Sequence, residues 1–141
     1  MNNFSSVPRQ PLPDNWETLT EQSRSVRQNA YAPFSGFAVG AALLVDDGQI
    51  FTGCNVENSS YGLTVCAERA AAVNAVSAGF THFVAISISL SDSPVPCGAC
   101  RQFLYEFNPD LICLLDQTEN SDPPVCIRLG DLLPLGFRLK R

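Results

Sequence analysis

Two short segments concentrate the groups able to do chemistry. Cys66-Ala67-Glu68-Arg69 sets a carboxyl two residues after a thiol, and Pro96-Cys97-Gly98-Ala99-Cys100 carries a C-x-x-C pair further along. Where thiols stay reduced, a C-x-x-C is either a redox pair or half of a metal site. The redox reading leaves Cys66 and Glu68 without a role. Three thiolates can instead hold a zinc ion and leave its fourth position to water, whereas a closed structural site uses four protein ligands. A carboxylate beside such an open site suits metal-assisted hydrolysis. Zinc makes water more acidic, and the carboxylate carries a proton from that water to a leaving group.

The remaining candidates are few. The one histidine, His82, falls at the start of an expected strand, so a metal would rest on thiolates alone. Cys54, Cys113 and Cys126 fall in expected strands, where a cysteine ordinarily packs as a small hydrophobe. If one of them closed the site, the protein would be a non-enzymatic zinc module. Three thiolates outweigh one divalent cation, so nearby positive charge is needed, and Arg69 is the obvious source.

Composition narrows the partners. Nine Lys+Arg against fourteen Asp+Glu give a net charge of −5, which disfavours nucleic-acid polymers and anionic membranes. No apolar run reaches a membrane span. The N-terminus, MNNFSSVPRQPLPDNW, lacks the basic and apolar regions of a secretory signal. The expectation is a cytoplasmic protein with reduced thiols. At 141 residues and 45% hydrophobic, the chain is long enough for one domain with its own core.

The elements that must position these groups follow from local pattern. Residues 1–13 are polar, contain Pro8, Pro11 and Pro13, and read as an extended or mobile lead-in; residues 14–141 form the single domain. Asp14 and Glu17 resemble a capping box opening a helix to about Ala30. An apolar run over 37–45, an Asp47-Gly48 turn and residues 49–55 predict a hairpin. Helices are expected over 66–78, stopped by Gly79, and over 97–107, with strands over 80–90, 111–115 and 125–129. This order predicts an α/β protein, a three-layer α/β/α sandwich with a mixed five-stranded sheet. Both cysteine segments then sit at helix starts, where free N–H groups and the positive helix end favour thiolate.

C-A-E-R followed by P-C-G-A-C-R-Q resembles the zinc deaminases acting on cytosine nucleosides, whose His/Cys signature is general to that chemistry. Tyr31-Ala32-Pro33-Phe34-Ser35-Gly36-Phe37 resembles the Y-A-P-x-S-x-F segment of the short, homotetrameric cytidine deaminases. Val39-Gly40-Ala41-Ala42-Leu43 and Gly53-Cys54-Asn55-Val56-Glu57-Asn58 are similar to their V-G-A-A-L and G-C-N-x-E-N segments, and Leu132-Leu133-Pro134 with Phe137 to their C-terminal part. The similarity spans about residues 15–137.

The resemblance implies one zinc ion per chain on Cys66, Cys97 and Cys100. It implies that Glu68 protonates N3 of the base and shuttles the water proton while metal-activated water attacks C4 and ammonia leaves. The reaction is hydrolytic deamination of cytidine and 2′-deoxycytidine, a step of pyrimidine salvage. Asn55 and Glu57 match the pair that bonds the ribose 3′-hydroxyl, Phe37 the aromatic on the pyrimidine, and the Ala67 N–H the donor to O2. Ser59, Tyr61 and Phe137 match residues that reach a neighbouring subunit's site, which implies a homotetramer. Arg69 matches the arginine that bonds ligand thiolates. Val95 stands where the family often has serine. Another small substrate, such as a nucleotide, free base, nucleoside antibiotic or modified nucleoside, is the alternative within the superfamily. No Gly-rich phosphate loop with lysine is present, and the one lysine is Lys140 in the tail. By residue type alone, Phe37 also fits a core position, Asn55 a strand end and Glu57 a solvated face. Arg101 and Gln102 fit either helix surface or partners of the ligands.

Overall fold

A computed structural model describes residues 4–141; the first three residues of the expected lead-in lie outside the described residues. The elements are α1 (Trp16–Arg27), β1 (Gly40–Val45), β2 (Ile50–Cys54), α2 (Ala67–Ser77), β3 (Phe83–Leu90), α3 (Gly98–Tyr105), β4 (Ile112–Gln117) and β5 (Val125–Arg128). The sheet order is β2-β1-β3-β4-β5, with β3 and β4 parallel and the other neighbours antiparallel. This is the expected mixed five-stranded sheet.

Alternation along the strands sends side chains to two cores. On one face, Leu43, Ile86, Ile88, Cys113 and Leu115 pack with Ala67, Ala71 and Ala75 of α2 and Leu104 of α3. On the other, Ala42, Leu44, Ala85, Leu114 and Cys126 pack with Leu19 of α1. Helices therefore cover both faces, completing three layers. Among the described residues no helix is long and apolar enough to cross a membrane.

The site depends on how the crossovers run. β2 and β3 are each antiparallel to β1, which lies between them, so they point the same way. The helices that follow them, α2 and α3, therefore both begin beyond the same end of the sheet, the carboxyl end where α/β proteins gather their functional groups. Gly53 lets α2 close onto β2: a Cβ there would overlap the Ala71 N and stand 2.7 Å from the Ala67 carbonyl. Gly40 serves α1 on the opposite face, where a Cβ would strike the Ser23 carbonyl.

A buried polar cluster docks α1. Asp116 is fully buried and accepts Arg24 Nε and Nη2, both at 2.7 Å, and the Ser89 hydroxyl at 2.6 Å. Ser23 Oγ lies 2.6 Å from Ser89 Oγ and 2.9 Å from Ser87 Oγ. A carboxylate out of water needs such partners, and here they join a helix to two strands.

Three local expectations are corrected. The helix opens at Trp16 behind Asn15, which makes no side-chain cap bond, so the Asp14–Glu17 capping box does not form. The first strand begins at Gly40 rather than Phe37. The Asn55 side chain accepts the Val39 N–H (2.9 Å) and donates to the Phe37 carbonyl (2.7 Å), taking the backbone groups that a strand neighbour would use. Cys113 and Cys126 are buried as expected, but Cys54 is only partly covered on the outer strand β2. Residues 4–13 lie against the sheet: Val7 packs on one core and Leu12 on the other, and the Gln10 N–H donates to the Cys126 carbonyl at 2.9 Å.

Gly53→Ala is expected to cost about 3 kcal/mol, at the upper end for overpacking because the obstacle is backbone. Urea denaturation measures it, and a variant as stable as the parent would refute the close approach of α2.

Candidate active site

The two crossovers bring three thiols together. Cys66 and Cys97 are the N-cap residues of α2 and α3, and Cys100 lies in the first turn of α3. Their sulfurs all lie within 4.8 Å of one another, and Cys66 Sγ is 3.9 Å from Cys97 Sγ. Tetrahedral zinc with its usual Zn–S bond holds its sulfurs about 3.8 Å apart, so the set fits that ion. Among the described residues neither His82 nor Cys54, Cys113 or Cys126 joins it. The His82 side chain is exposed, 3.9 Å from Asp46.

The electrostatics favour negative sulfur. The Cys66 thiol is drawn down to about 5, first by its hydrogen bond with Cys100, against the cost of burial, and then by Arg69 and Cys97. Arg69 Nη2 stands 3.5 Å from Cys66 Sγ, and its own pKa is raised by that bond. The Cys100 N–H donates to Cys97 Sγ at 3.5 Å. Cys100 is pushed the other way, holding its proton as donor to Cys66 and by burial. A divalent cation reverses that, because a coordinating thiol is deprotonated outright.

Glu68 occupies the first turn of α2 and is buried, with Oε2 3.6 Å from Cys100 Sγ. Burial is the main reason its carboxyl is raised to about 7, with the nearby Cys66 charge adding to it. A group poised there can both give and take a proton near neutral pH. Ala67 is the first residue of α2, so its N–H is one of the donors that a helix start leaves without an intrahelical partner.

A short ladder ties the segment carrying Asn55 and Glu57 to the residue before Cys66. Val56 and Val65 exchange two backbone hydrogen bonds, each 2.9 Å, which closes the 57–64 loop immediately before Cys66. Tyr31 pairs on the other side of Val56: its N–H donates to the Asn55 carbonyl (2.9 Å) and its carbonyl accepts the Glu57 N–H (2.8 Å). Asn55 is buried and spends part of its amide on the 37–39 backbone. Glu57 accepts three bonds, from Phe34 N (2.9 Å), Ser35 N (3.1 Å) and Ser35 Oγ (2.5 Å). A carboxylate offers about four acceptor sites, so one remains for a hydroxyl donor.

Phe37 keeps 58% of its surface exposed, so it is not a core residue. Ser59 is exposed, as are Tyr61 at 75% and Phe137 at 65%. The Tyr61 ring meets that of Phe34 edge-on, with centroids 5.8 Å apart. Ser35 is the residue whose part the sequence did not disclose. Its hydroxyl joins Glu57 to the Phe37 N–H (3.0 Å), and the signal for it was its position within Y-A-P-x-S-x-F.

The chain also resembles known proteins. The family model for the cytidine and deoxycytidylate deaminase zinc-binding region matches residues 13–115. The cytidine deaminase of Mycobacterium tuberculosis (strain ATCC 25618 / H37Rv) is 45% identical over 132 residues, 91% of this chain and 94% of that one. A cytidine deaminase from Sporosarcina psychrophila is 52% identical over 93 residues, 64% of this chain and 68% of that one. The crystal structure of cytidine deaminase from Burkholderia pseudomallei matches with a TM-score of 0.81 at 44% identity, covering 86% of this chain and 98% of that one. The chain belongs to the cytidine and deoxycytidylate deaminase family, whose members are zinc-dependent hydrolases.

The Glu57 carboxyl is held below its ordinary value, mainly by the Ser35 hydroxyl. Its anchoring of the 34–37 turn is therefore kept at neutral pH and lost as pH falls through that lowered value. Ser35→Ala is expected to raise the Glu57 pKa, so that the turn loosens at a higher pH than in the parent. Carboxyl titration by NMR, with amide exchange at Phe34 to Phe37, checks this; an unshifted titration would count against the anchor.

Proposed function

We propose that the protein hydrolytically deaminates cytidine and 2′-deoxycytidine to uridine and 2′-deoxyuridine with release of ammonia, as a step of pyrimidine salvage in the cytoplasm. The observation that carries the reading is the buried Glu68 carboxyl lying against a three-thiol cluster that fits zinc. Six free cysteines suit a reducing compartment.

Cys66, Cys97 and Cys100 hold one zinc ion per chain. When bound there, zinc supplies a Lewis acid that makes water acidic near neutral pH. Glu68 takes a proton from water and delivers it to N3 of the pyrimidine, which makes C4 electrophilic. Once the water oxygen is bonded to C4, the same carboxyl takes the remaining proton from that oxygen and delivers it to the amine, so that C4=O forms as the C4–N bond breaks and the products are uridine and ammonia. The burial that keeps its proton near neutrality supports this role. Arg69 offsets the thiolate charge. The Ala67 N–H binds the O2 carbonyl, Phe37 packs on the ring, and Asn55 and Glu57 hold the ribose 3′-hydroxyl. That the remaining Glu57 acceptor site and a free sugar hydroxyl match favours a nucleoside.

The active form is a homotetramer in which Ser59, Tyr61 and Phe137 complete a neighbour's pocket. Support comes from apolar surface unusual for a lone chain: Tyr31, Phe34, Phe37, Tyr61 and Leu63 are each more than half exposed and lie on the segments around the site.

Glu68→Gln is expected to keep its zinc while cytidine turnover, followed by ultraviolet absorbance, falls about 10²- to 10⁴-fold. Chelation should abolish the parent's activity and added zinc should restore it. A parent protein that holds zinc yet leaves cytidine unchanged would overturn the reading.

A further inference from the structure

The C-terminal segment is fastened by its backbone and turns its apolar side chains outward. Leu135 is fully exposed and Phe137 largely so. Leu135 also adopts φ 57, a left-handed conformation that is strained for a non-glycine residue. Something must hold that pose, and α3 supplies it. Gly136 lies so close to the Tyr105 ring that a Cβ would stand 2.8 Å from its Cζ. Gln102 Nε2 donates to the Phe137 carbonyl at 3.2 Å. Arg101 Nη1 donates to the Leu132 carbonyl at 3.0 Å.

Arg101 does a second thing with the same fork. Its Nε donates to the Pro96 carbonyl at 2.8 Å, one residue before Cys97. A rigid guanidinium can bridge two carbonyls in this way; a lysine ammonium, a point charge on a flexible stem, holds no such fixed spacing. The turn that presents Cys97 and the segment that presents Phe137 are thus joined through one side chain.

We propose that Arg101 and Gln102 are positioning residues: they clamp the C-terminal segment to the helix carrying Cys100, and so set where Phe137 stands in the pocket of a second copy of this chain. The proposal rests on the reading that Phe137 serves a neighbour's site. Its physical content is pre-organisation. Without the two carbonyl anchors the tail keeps the exposed Arg141–Glu106 pair (3.2 Å) and its packing on Tyr105, and an exposed pair of that kind is worth little. Ordering the segment would then be charged against nucleoside binding, which raises KM.

The test uses the full-length zinc-loaded protein and the variants Gln102→Met, Arg101→Lys, Phe137→Ala and the double variant Gln102→Met with Phe137→Ala. Four quantities are measured: KM and kcat for cytidine, zinc transfer to a chelator, amide exchange over residues 133–139, and the melting temperature. Gln102→Met is expected to raise KM about threefold to tenfold, the equivalent of one lost hydrogen bond, with a smaller effect on kcat. It should quicken tail exchange and leave zinc transfer at the parent rate. The double variant should be no worse than Phe137→Ala alone. Arg101→Lys should quicken both tail exchange and zinc transfer, because both carbonyls lose their fork. Should Arg101→Lys fail to fold, the Gln102 arm decides by itself.

If Phe137→Ala raises KM while Gln102→Met changes neither KM nor tail exchange, the clamp is overturned. Multiplying effects in the double variant overturn it too. If Phe137→Ala leaves KM unchanged, the shared-pocket reading itself fails and takes the proposal with it. A parent inactive on cytidine does the same through the functional reading.

Discussion

The meeting of two helix starts at one end of the sheet is the constraint on which the rest of the molecule depends. The N-termini of α2 and α3 both carry partial positive charge, and each has a cysteine at its N-cap position, Cys66 or Cys97, of which Cys97 accepts a first-turn N–H. Two positive helix ends brought together repel unless negative charge lies between them. Thiolates supply it, and three thiolates in turn oversupply it for one divalent cation. Arg69, bonded to Cys66, and the two helix ends restore the balance. Glu68 sits beside sulfur by a different route: burial and the nearby Cys66 charge raise its carboxyl to about 7, so it holds its proton close to neutrality.

That meeting sets demands on the scaffold. α2 must lie close enough for its first residues to reach α3, and its small face of Ala67, Ala71, Ala72 and Ala75 over Gly53 makes the approach possible. The opposite face of the sheet is then fastened by a different kind of interaction. Arg24, Asp116 and Ser89 pin α1 with directional, charge-assisted bonds, where α2 is seated by volume. One layer is placed by shape and the other by polarity, and the sheet between them is held from both sides.

The residues proposed to hold the ribose are also building materials. Glu57 organises the 34–37 turn through Ser35, and Asn55 replaces a strand neighbour for residues 37–39. The Tyr31–Val56–Val65 ladder carries these groups up to Cys66. Y-A-P-x-S-x-F, N-x-E and C-x-E are far apart in the chain, yet they meet through backbone pairing and one shared carboxylate. Arg101 and Gln102 have the same double character: both lie on the surface of α3 and both reach for carbonyls, one at the ligand turn and both at the tail.

By itself the sequence determined the element order, the two-core sheet and the reactive trio. Hydrophobic period, turn residues and cysteine spacing are local signals, and they survive without coordinates. It set His82 apart and left thiols alone as candidate metal ligands, and the structure gathers three of them into a group that could hold an ion. The sequence misjudged the Asp14–Glu17 cap, where the side-chain hydrogen bond is not made, and the start of the first strand, where Asn55, distant in sequence, captured the 37–39 backbone. It left Arg101 and Gln102 open and did not reveal the Ser35 hydroxyl as the link to Glu57. Only the tertiary structure decided these, and it decided the elevated Glu68 carboxyl as well. A hydrogen bond or a desolvation cost depends on what stands within a few ångströms, and the parallel run of β2 and β3 chooses those neighbours from segments that the chain keeps far apart.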